Sequence, residues 1–364
     1  VNILLISSVL NYRTLVGALS KHRVHQLLPE GELKQMAVEM KELDRLSPEY
    51  GKNLVLHTIR RFFLLGYLLK AHQIIRNEKI DLMWTTSPPH GVVCRILKWL
   101  LKKPYVILVG QPFTEYIKQE RPFYYRIFLP AYELMMQVAF RNADAVITHS
   151  RYLQNYVRKY GARHVVATYY YGVDTETFKP VKTARREKYT IMYAGRFSVQ
   201  KGAGHLIDAL GILKEKGLDF EAWMYGQGPL KDYLRSFAEE KKLQFQLNDY
   251  VDHKTLASRI NQADVFVVPS LSEGLGFMAA EALACGVPVI ASNVGGLPDI
   301  VEGCGILVPP GDPKALADAI MEVNRNYGVY KKKALEGRKH IVEHFDVKRV
   351  VVEFQSALAG AAMG

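Results

Sequence analysis

The chain has 364 residues, 49% of them hydrophobic and 23% charged, with a formal net charge of +12. This composition excludes a disordered or fibrous protein, and the length suffices for two domains, each with its own core. The apolar run Phe62–Leu69 is far shorter than the ~20 residues a membrane-spanning helix needs.

The charge is lopsided. Residues 1–172 hold 24 Lys and Arg against 12 Asp and Glu, whereas the remainder has 24 of each. A one-sided basic half fits a polyanionic partner, whether anionic lipid, nucleic acid or a phosphate-bearing acceptor; it equally fits a basic surface kept for solubility. Cys94, Cys285 and Cys304 sit at no metal or disulfide spacing and read as small core residues of a reducing compartment. The opening Val1–Ile6 lacks a basic lead-in and reads as a first strand rather than a signal peptide, so the expectation is a cytoplasmic protein, open to peripheral attachment at the cytoplasmic face of a membrane.

In chain order, Asn2–Ser7 predicts a strand, with Ser8–Tyr12 as its loop at a ligand cleft. Residues 31–79 have a helical pattern broken at Pro48 and Gly51. Within them, Arg60–Lys70 mixes basic and apolar residues and fits either a membrane surface or the core-facing helix before the next strand. Ile80–Trp84 and Tyr105–Val109 predict strands, and the loops after them carry His90, Gln111 and Glu115. Open parallel sheets bind ligands at such carboxyl ends. Tyr116–Phe140 reads as one long core helix or as a membrane-contacting segment. Ala143–Thr148 predicts a strand ending at His149, and Tyr152–Tyr160 a helix stopped by Gly161. His90, His149 and Glu115 are candidate proton acceptors, and each is equally readable as a structural or surface group. Val165–Thr168 leads into Tyr171–Asp174, after which the charged stretch Lys182–Lys188 predicts a domain boundary.

The second half restarts with a strand at Thr190–Ala194 and the loop Gly195–Gly202, in which Arg196 can fork onto phosphate oxygens and Lys201 adds a point charge. Ala222–Tyr225 runs into a glycine turn at Gly226, and Asn248–Val251 forms a later loop containing Tyr250. Val265–Val268 is a β-branched run ended by proline, followed by Ser270–Gly276 and a breaker-free helix over Phe277–Ala284. Strand, glycine loop and helix start together aim backbone N–H groups and the positive helix end at an anion. Gly274 and Gly276, flanking Leu275, let a ligand approach the main chain. Glu273 and Glu281 stand roughly 10 Å apart along the axis at ~1.5 Å per residue, a separation that can hold sugar hydroxyls on either side of a phosphate. Pro288–Ser292 and Gly305–Val308 complete the sheet, with Gly295–Asp299 as a turn, and Phe345–Asp346 opens a final helix.

The run Glu273-Gly274-Leu275-Gly276-Phe277 through Glu281-Ala282 resembles the E-G-x-G-x-x-x-x-E-A motif of the retaining nucleotide-sugar glycosyltransferases of family 4. Gly195-Arg196 with Lys201-Gly202 matches their G-R-x-x-x-x-K-G pattern, and Gly226-Gln227-Gly228-Pro229 their G-x-G-P. The resemblance is dense after residue 140 and thin before it. It implies an α/β GT-B fold, two Rossmann-like doubly wound domains facing a central cleft. Residues 1–172 would form the acceptor domain, joined by a returning helix over about 346–364, and 173–345 the nucleotide-sugar domain. It further implies that Glu273 holds the donor sugar and Glu281 the ribose, that Arg196 and Lys201 bind the diphosphate, and that Gly195, Gly226, Tyr250, Val251 and Gly274–Phe277 line the donor site. Three departures stand out: no Gly-Gly pair in the Ser8–Tyr12 loop, with Gly17 too late to replace it; Gly110 or Gln111 where the family often has a histidine; and Tyr171 for the usual Asn.

The resulting expectation is a retaining transferase moving a sugar from a nucleoside diphosphate to a hydroxyl on a glycan or lipid-linked acceptor, with an anionic membrane surface as a second partner. No side-chain nucleophile is evident for a double displacement, which favours front-face attack. No Asp-x-Asp pair occurs, so neither a metal nor another cofactor is expected. Two other classes stay open: an epimerase or phosphorylase on the same fold, and a nucleic-acid binder using the basic half. The latter lacks any recognisable recognition motif, and no nucleic-acid partner is expected.

Overall fold

The structure is a computed structural model that describes residues 2–5, 23–26, 68–69, 71–77, 79–120, 123–168, 172–183 and 187–363. The Ser8–Tyr12 loop, Gly17, the Pro48 and Gly51 break, most of Arg60–Lys70 and Tyr171 lie outside the described residues.

Two six-stranded parallel sheets are present among the described residues. The first has the order β2-β1-β3-β4-β5-β6, from β1 (Asn2–Leu5), β2 (Arg23–Gln26), β3 (Leu82–Thr85), β4 (Tyr105–Val109), β5 (Ala145–Thr148) and β6 (Val165–Ala167). The second has the order β12-β11-β10-β7-β8-β9, from β7 (Tyr189–Ala194), β8 (Phe220–Tyr225), β9 (Phe245–Asn248), β10 (Val265–Val268), β11 (Val289–Ser292) and β12 (Ile306–Val308). Strands β3, β4, β5, β10 and β11 are buried at every residue. Burial on both faces is why these strands read as unbroken apolar runs instead of alternating ones.

Helices cover the faces: α1 (Pro88–Leu101), α2 (Phe113–Glu120), α3 (Leu129–Arg141) and α4 (Arg151–Lys159) in the first half. The second half contributes α5 (Ala203–Glu215), α6 (Lys231–Glu240), α7 (His253–Asn261), α8 (Phe277–Ala284), α9 (Leu297–Val301), α10 (Pro313–Arg325) and α11 (Tyr327–Phe345), and the chain ends in α12 (Val347–Met363). Three expectations are corrected. Tyr116–Phe140 is not one helix but α2, a 3-10 turn over Phe123–Phe128 and α3, because Pro130 has no N–H to continue a ladder and sits in the first turn of a new helix. Gly295–Asp299 is not wholly a turn, since Leu297-Pro298-Asp299 forms the start of α9. Phe345 closes α11 instead of opening the last helix, the break falling at the extended Asp346.

Helix α12 returns to the first sheet. Phe354, Leu358 and Ala361 pack on Leu82, Trp84, Val106, Leu108, Ala145 and Ile147, with the Trp84 and Phe354 rings edge to face at 5.8 Å. Burial of this size contributes about 1.5–3 kcal/mol per large side chain. The chain therefore crosses between sheets twice, and the crossings lie side by side: Val173 N–H donates to the Phe345 carbonyl at 2.7 Å and Val347 N–H to the Val173 carbonyl at 2.9 Å. Gly172, at φ 54°, is required there, because a Cβ would lie 2.5 Å from the Val347 Cα.

Candidate active site

Sheet order fixes where the site lies. The chain leaves β7 toward β8 and β9, then returns to lay β10 against the other side of β7. The loops at the carboxyl ends of β7 and β10 thus flank a topological switch point, where open parallel sheets hold ligands. Gly195–Gly202 is one of these loops and Pro269–Gly276 the other. Leu271 N–H donates to the Gln200 carbonyl at 2.8 Å, and Gly202, at φ 66°, packs so closely on Pro269 that a Cβ would overlap its carbonyl. That clamp brings Lys201 Nζ to 2.6 Å from Glu273 Oε2, and Ser270 Oγ donates to the same oxygen at 3.3 Å.

Gly276 (φ 105°) caps α8 at its N-terminus, and the loop before it is propped from behind. A Cβ at Gly295 would overlap the Glu273 carbonyl, and Gly296 N–H donates to that carbonyl at 3.3 Å. Leu275 is buried and Phe277 partly so. Further along α8, Glu281 has a buried Oε2 with no hydrogen-bond partner among the described residues. Burial pushes its carboxyl up to about 8. Arg196 is exposed, while its carbonyl accepts from the Tyr193 hydroxyl at 2.7 Å. Gly195 and Gly226 touch main chain to main chain, since a Cβ on Gly226 would overlap the Gly195 carbonyl. Tyr250 is largely exposed, Val251 packs on the core, and the Lys231–Asp249 ion pair at 2.5 Å pins the start of their loop.

The first sheet presents the carboxyl ends of β4 and β5 to this loop. A Cβ on Gly274 would overlap the Gly110 carbonyl and lie 3.0 Å from His149 Nε2, so the two main chains approach closely there. The His149 ring is 5.7 Å from the Phe277 ring. Desolvation lowers His149 to about 4, against the charge of Glu273 and a hydrogen bond with the Gly110 backbone, so the ring is neutral near pH 7. Glu115 is engaged at both oxygens: Oε1 accepts from the Tyr152 hydroxyl, and Oε2 accepts from Ser272 Oγ at 3.0 Å. Gln111 follows Gly110 at the same edge. His90 follows the carboxyl end of the neighbouring β3, buried in the first turn of α1 with Nδ1 2.9 Å from Ser87 Oγ, and burial lowers it to about 4. Of the acceptor-side candidates, His149 and Glu115 are thus brought to the Glu273 loop.

Further residues that no sequence motif singled out join the two halves at this edge. Ser272 and Tyr152 complete the Glu115 bridge, and the serine flanking Glu273 could have prompted a search for a partner. Arg151 binds Asp299 through its backbone N–H at 2.7 Å and Nε at 2.8 Å, a link whose partners stand 148 residues apart. Gln119 Nε2 adds a bond to the Leu271 carbonyl at 3.4 Å.

Comparison with known proteins matches residues 14–177 to the Glycosyltransferase Family 4 model and residues 174–340 to the Glycosyl transferases group 1 model. An uncharacterized glycosyltransferase of Methanocaldococcus jannaschii is 28% identical over 327 residues, 86% of this chain and 87% of its own. The D-inositol 3-phosphate glycosyltransferase of Paenarthrobacter aurescens is 37% identical over 172 residues, 42% of this chain and 41% of its own. The GDP-mannose-dependent alpha-(1-6)-phosphatidylinositol dimannoside mannosyltransferase of Mycobacterium tuberculosis is 30% identical over 190 residues, 50% of this chain and 49% of its own. The alignments to these last two span less than half of the relatives' own lengths. Among solved structures, Anabaena HepE in complex with UDP superposes with a TM-score of 0.72 over 99% of this chain and 100% of its own, at 19% identity. Sucrose-phosphate synthase of Thermosynechococcus elongatus does so with a TM-score of 0.67 at 24% identity, covering 81% and 78%. Two abutting family matches, two parallel sheets and a clamp at the switch point of the second converge: the chain is a glycosyltransferase with the GT-B fold.

Proposed function

We propose that the chain is a retaining transferase that moves a sugar from a nucleoside diphosphate to a hydroxyl of a lipid-linked or glycan acceptor. The observation that carries this reading is the juxtaposition at the switch point of Lys201, Glu273 and the glycine-lined start of α8, with Glu281 Oε2, buried and without a hydrogen-bond partner among the described residues, farther along the same helix. Negative charge grows on the diphosphate oxygen as the carbon–oxygen bond breaks, and preorganised donors facing that oxygen stabilise it by several kcal/mol. Lys201 supplies a charge, Arg196 a guanidinium open to solvent, and the amides after Gly274 the helix end. Glu273 then holds donor hydroxyls and Glu281 accepts from the ribose.

The acceptor oxygen bonds to the anomeric carbon on the face the diphosphate leaves, and its proton passes to the departing phosphate oxygen. Glu115 is held by Tyr152 and Ser272, and His149 has little basicity near neutrality, so neither is the base in this scheme. The test pairs a thermal-shift panel of UDP-, GDP- and ADP-sugars with NMR of the product's anomeric configuration. Failure of every donor to raise the melting temperature, or an inverted product, would overturn the proposal.

A further inference from the structure

The solvent side of the first domain carries an apolar surface that the cleft does not use. On α1, Ile96, Trp99 and Leu100 are exposed, Trp99 at 66%. On the segment leading through α3, Ile127 is 72% and Leu134 60% exposed, and Val138 lies one turn further on. Helices α1 and α3 pack closely, since a Cβ on Gly91 would lie 2.7 Å from the Ala139 Cβ.

Beside these residues is a basic cavity of about 450 Å³ lined by Arg95, Lys98, Arg141, Arg163 and His164. Its one carboxylate, Asp144, is already committed, accepting from Lys98 Nζ at 2.6 Å and from Tyr105 N–H at 2.8 Å. Among the described residues no carboxylate pairs with Arg95, Arg141 or Arg163. The cavity lies at the amino ends of β5 and β6, the opposite sheet edge from the candidate active site. Each helix places exposed apolar residues within about one turn of a cavity arginine: Ile96 and Trp99 beside Arg95, and Val138 beside Arg141. Residues 88–104 contain no acid, and the one in 123–141, Glu133, accepts from the Tyr160 hydroxyl at 3.2 Å.

We propose that this face docks on an anionic phospholipid bilayer, its apolar side chains entering the interface while the arginine-lined cavity receives a lipid phosphate. Large apolar side chains ringed by unpaired cations, with almost no acid between them, match a surface that is apolar at depth and negative at its rim. A second protein copy would be a poor fit, because it would bring the same arginines against each other. No helix among the described residues is long and apolar enough to cross a membrane, so the attachment is peripheral. The inference stands apart from the donor chemistry.

The experiment is co-sedimentation of the full chain with vesicles of equal phosphatidylglycerol and phosphatidylcholine, and with phosphatidylcholine alone. Binding to the anionic vesicles is expected, weakening with salt. Each of Arg95→Ala and Arg163→Ala is expected to cost about fivefold, and Trp99→Ser about tenfold. Trp99 gives a second readout that does not depend on variant folding. Trp84 and Trp223 are buried, so quenching of tryptophan fluorescence by brominated acyl chains reports Trp99. Absence of binding, equal binding to neutral vesicles, no quenching, or unchanged affinity in folded variants would overturn the proposal. So would a dimer in light scattering that Leu134→Ser disperses, since a second copy would then cover this face. Stabilisation by inorganic phosphate without vesicle binding would overturn it too, marking a free-anion site.

Discussion

Lys201 and Glu273 are 72 residues apart in sequence and 2.6 Å apart in space, joined by the crossed loops of two neighbouring parallel strands. Both side chains are mostly shielded, at 30% and 15% exposure, so removing one strands the charge of the other. Lys201→Ala should lower kcat/KM by about 10²–10³, the cost of losing one preorganised donor at a developing oxyanion, with partial recovery in Lys201→Arg. Glu273→Gln should act mainly on kcat. Because the two form one unit, the double variant should fall well short of the product of the single losses. Steady-state transfer rates of the four proteins decide it, and multiplicative losses would mean the residues work separately.

The close approach of Gly274 to Gly110 predicts a domain effect from a single methyl group. In Gly274→Ala the Cβ would overlap the Gly110 carbonyl and crowd His149 Nε2. With the Glu115–Ser272 hydrogen bond one residue beyond Glu273, the cleft then cannot close as observed. Small-angle scattering should report a larger radius of gyration, and transfer should drop by at least about tenfold, while a thermal shift with donor persists. A wild-type radius and rate would show that this approach is not needed in the working state.

Much of the second half was legible because its strands are buried on both faces and its turns depend on glycine. The run Val265–Val268, the helix Phe277–Ala284 and the glycines around Glu273 all fall where their residue types place them. The first half hid more. Strand β2, Arg23–Gln26, reads Arg-Val-His-Gln and has no apolar run to reveal it; among the described residues it stands at the sheet edge, paired with β1. The Tyr116–Phe140 segment is rich in aromatic and apolar residues, and their weight obscured the break signal of Pro130 at the start of α3. The links Arg151–Asp299 and Glu115–Ser272 depend on how two domains meet, which no local pattern encodes.

The returning helix α12 should be a large stabilising element of the first domain. Phe354 is fully buried against Trp84, Leu82 and Leu108. Phe354→Ala should cost about 3–5 kcal/mol, since the facing β3 and β4 side chains cannot collapse into the gap. Denaturant unfolding followed by Trp84 fluorescence in a Trp99→Phe, Trp223→Phe background measures this directly, and a loss under about 1 kcal/mol would show that α12 contributes little to that core.

Stability against pH should separate Glu281 from the buried histidines. In the fold Glu281 holds its proton up to about 8, whereas the unfolded chain releases it near 4.5. The native state therefore binds more protons in between, and stability falls as pH rises from 4.5 to 8. His149 and His90 act in the opposite sense, at about 4 folded against 6.5 unfolded, so they cost stability as pH falls from 6.5 to 4. Between 6.5 and 8 the Glu281 effect stands clear of theirs, at about 2 kcal/mol. Glu281→Gln should flatten the melting temperature across that window and steepen the acid limb between 4.5 and 6.5, where the Glu281 and histidine effects oppose each other. His149→Gln should soften the acid limb and leave the alkaline fall in place. If Glu281 also accepts the ribose, Glu281→Gln should weaken nucleoside diphosphate binding by about fivefold, the worth of a hydrogen bond to a neutral acceptor. A flattened profile with unchanged nucleotide affinity would keep the buried carboxyl and remove its role in the donor site.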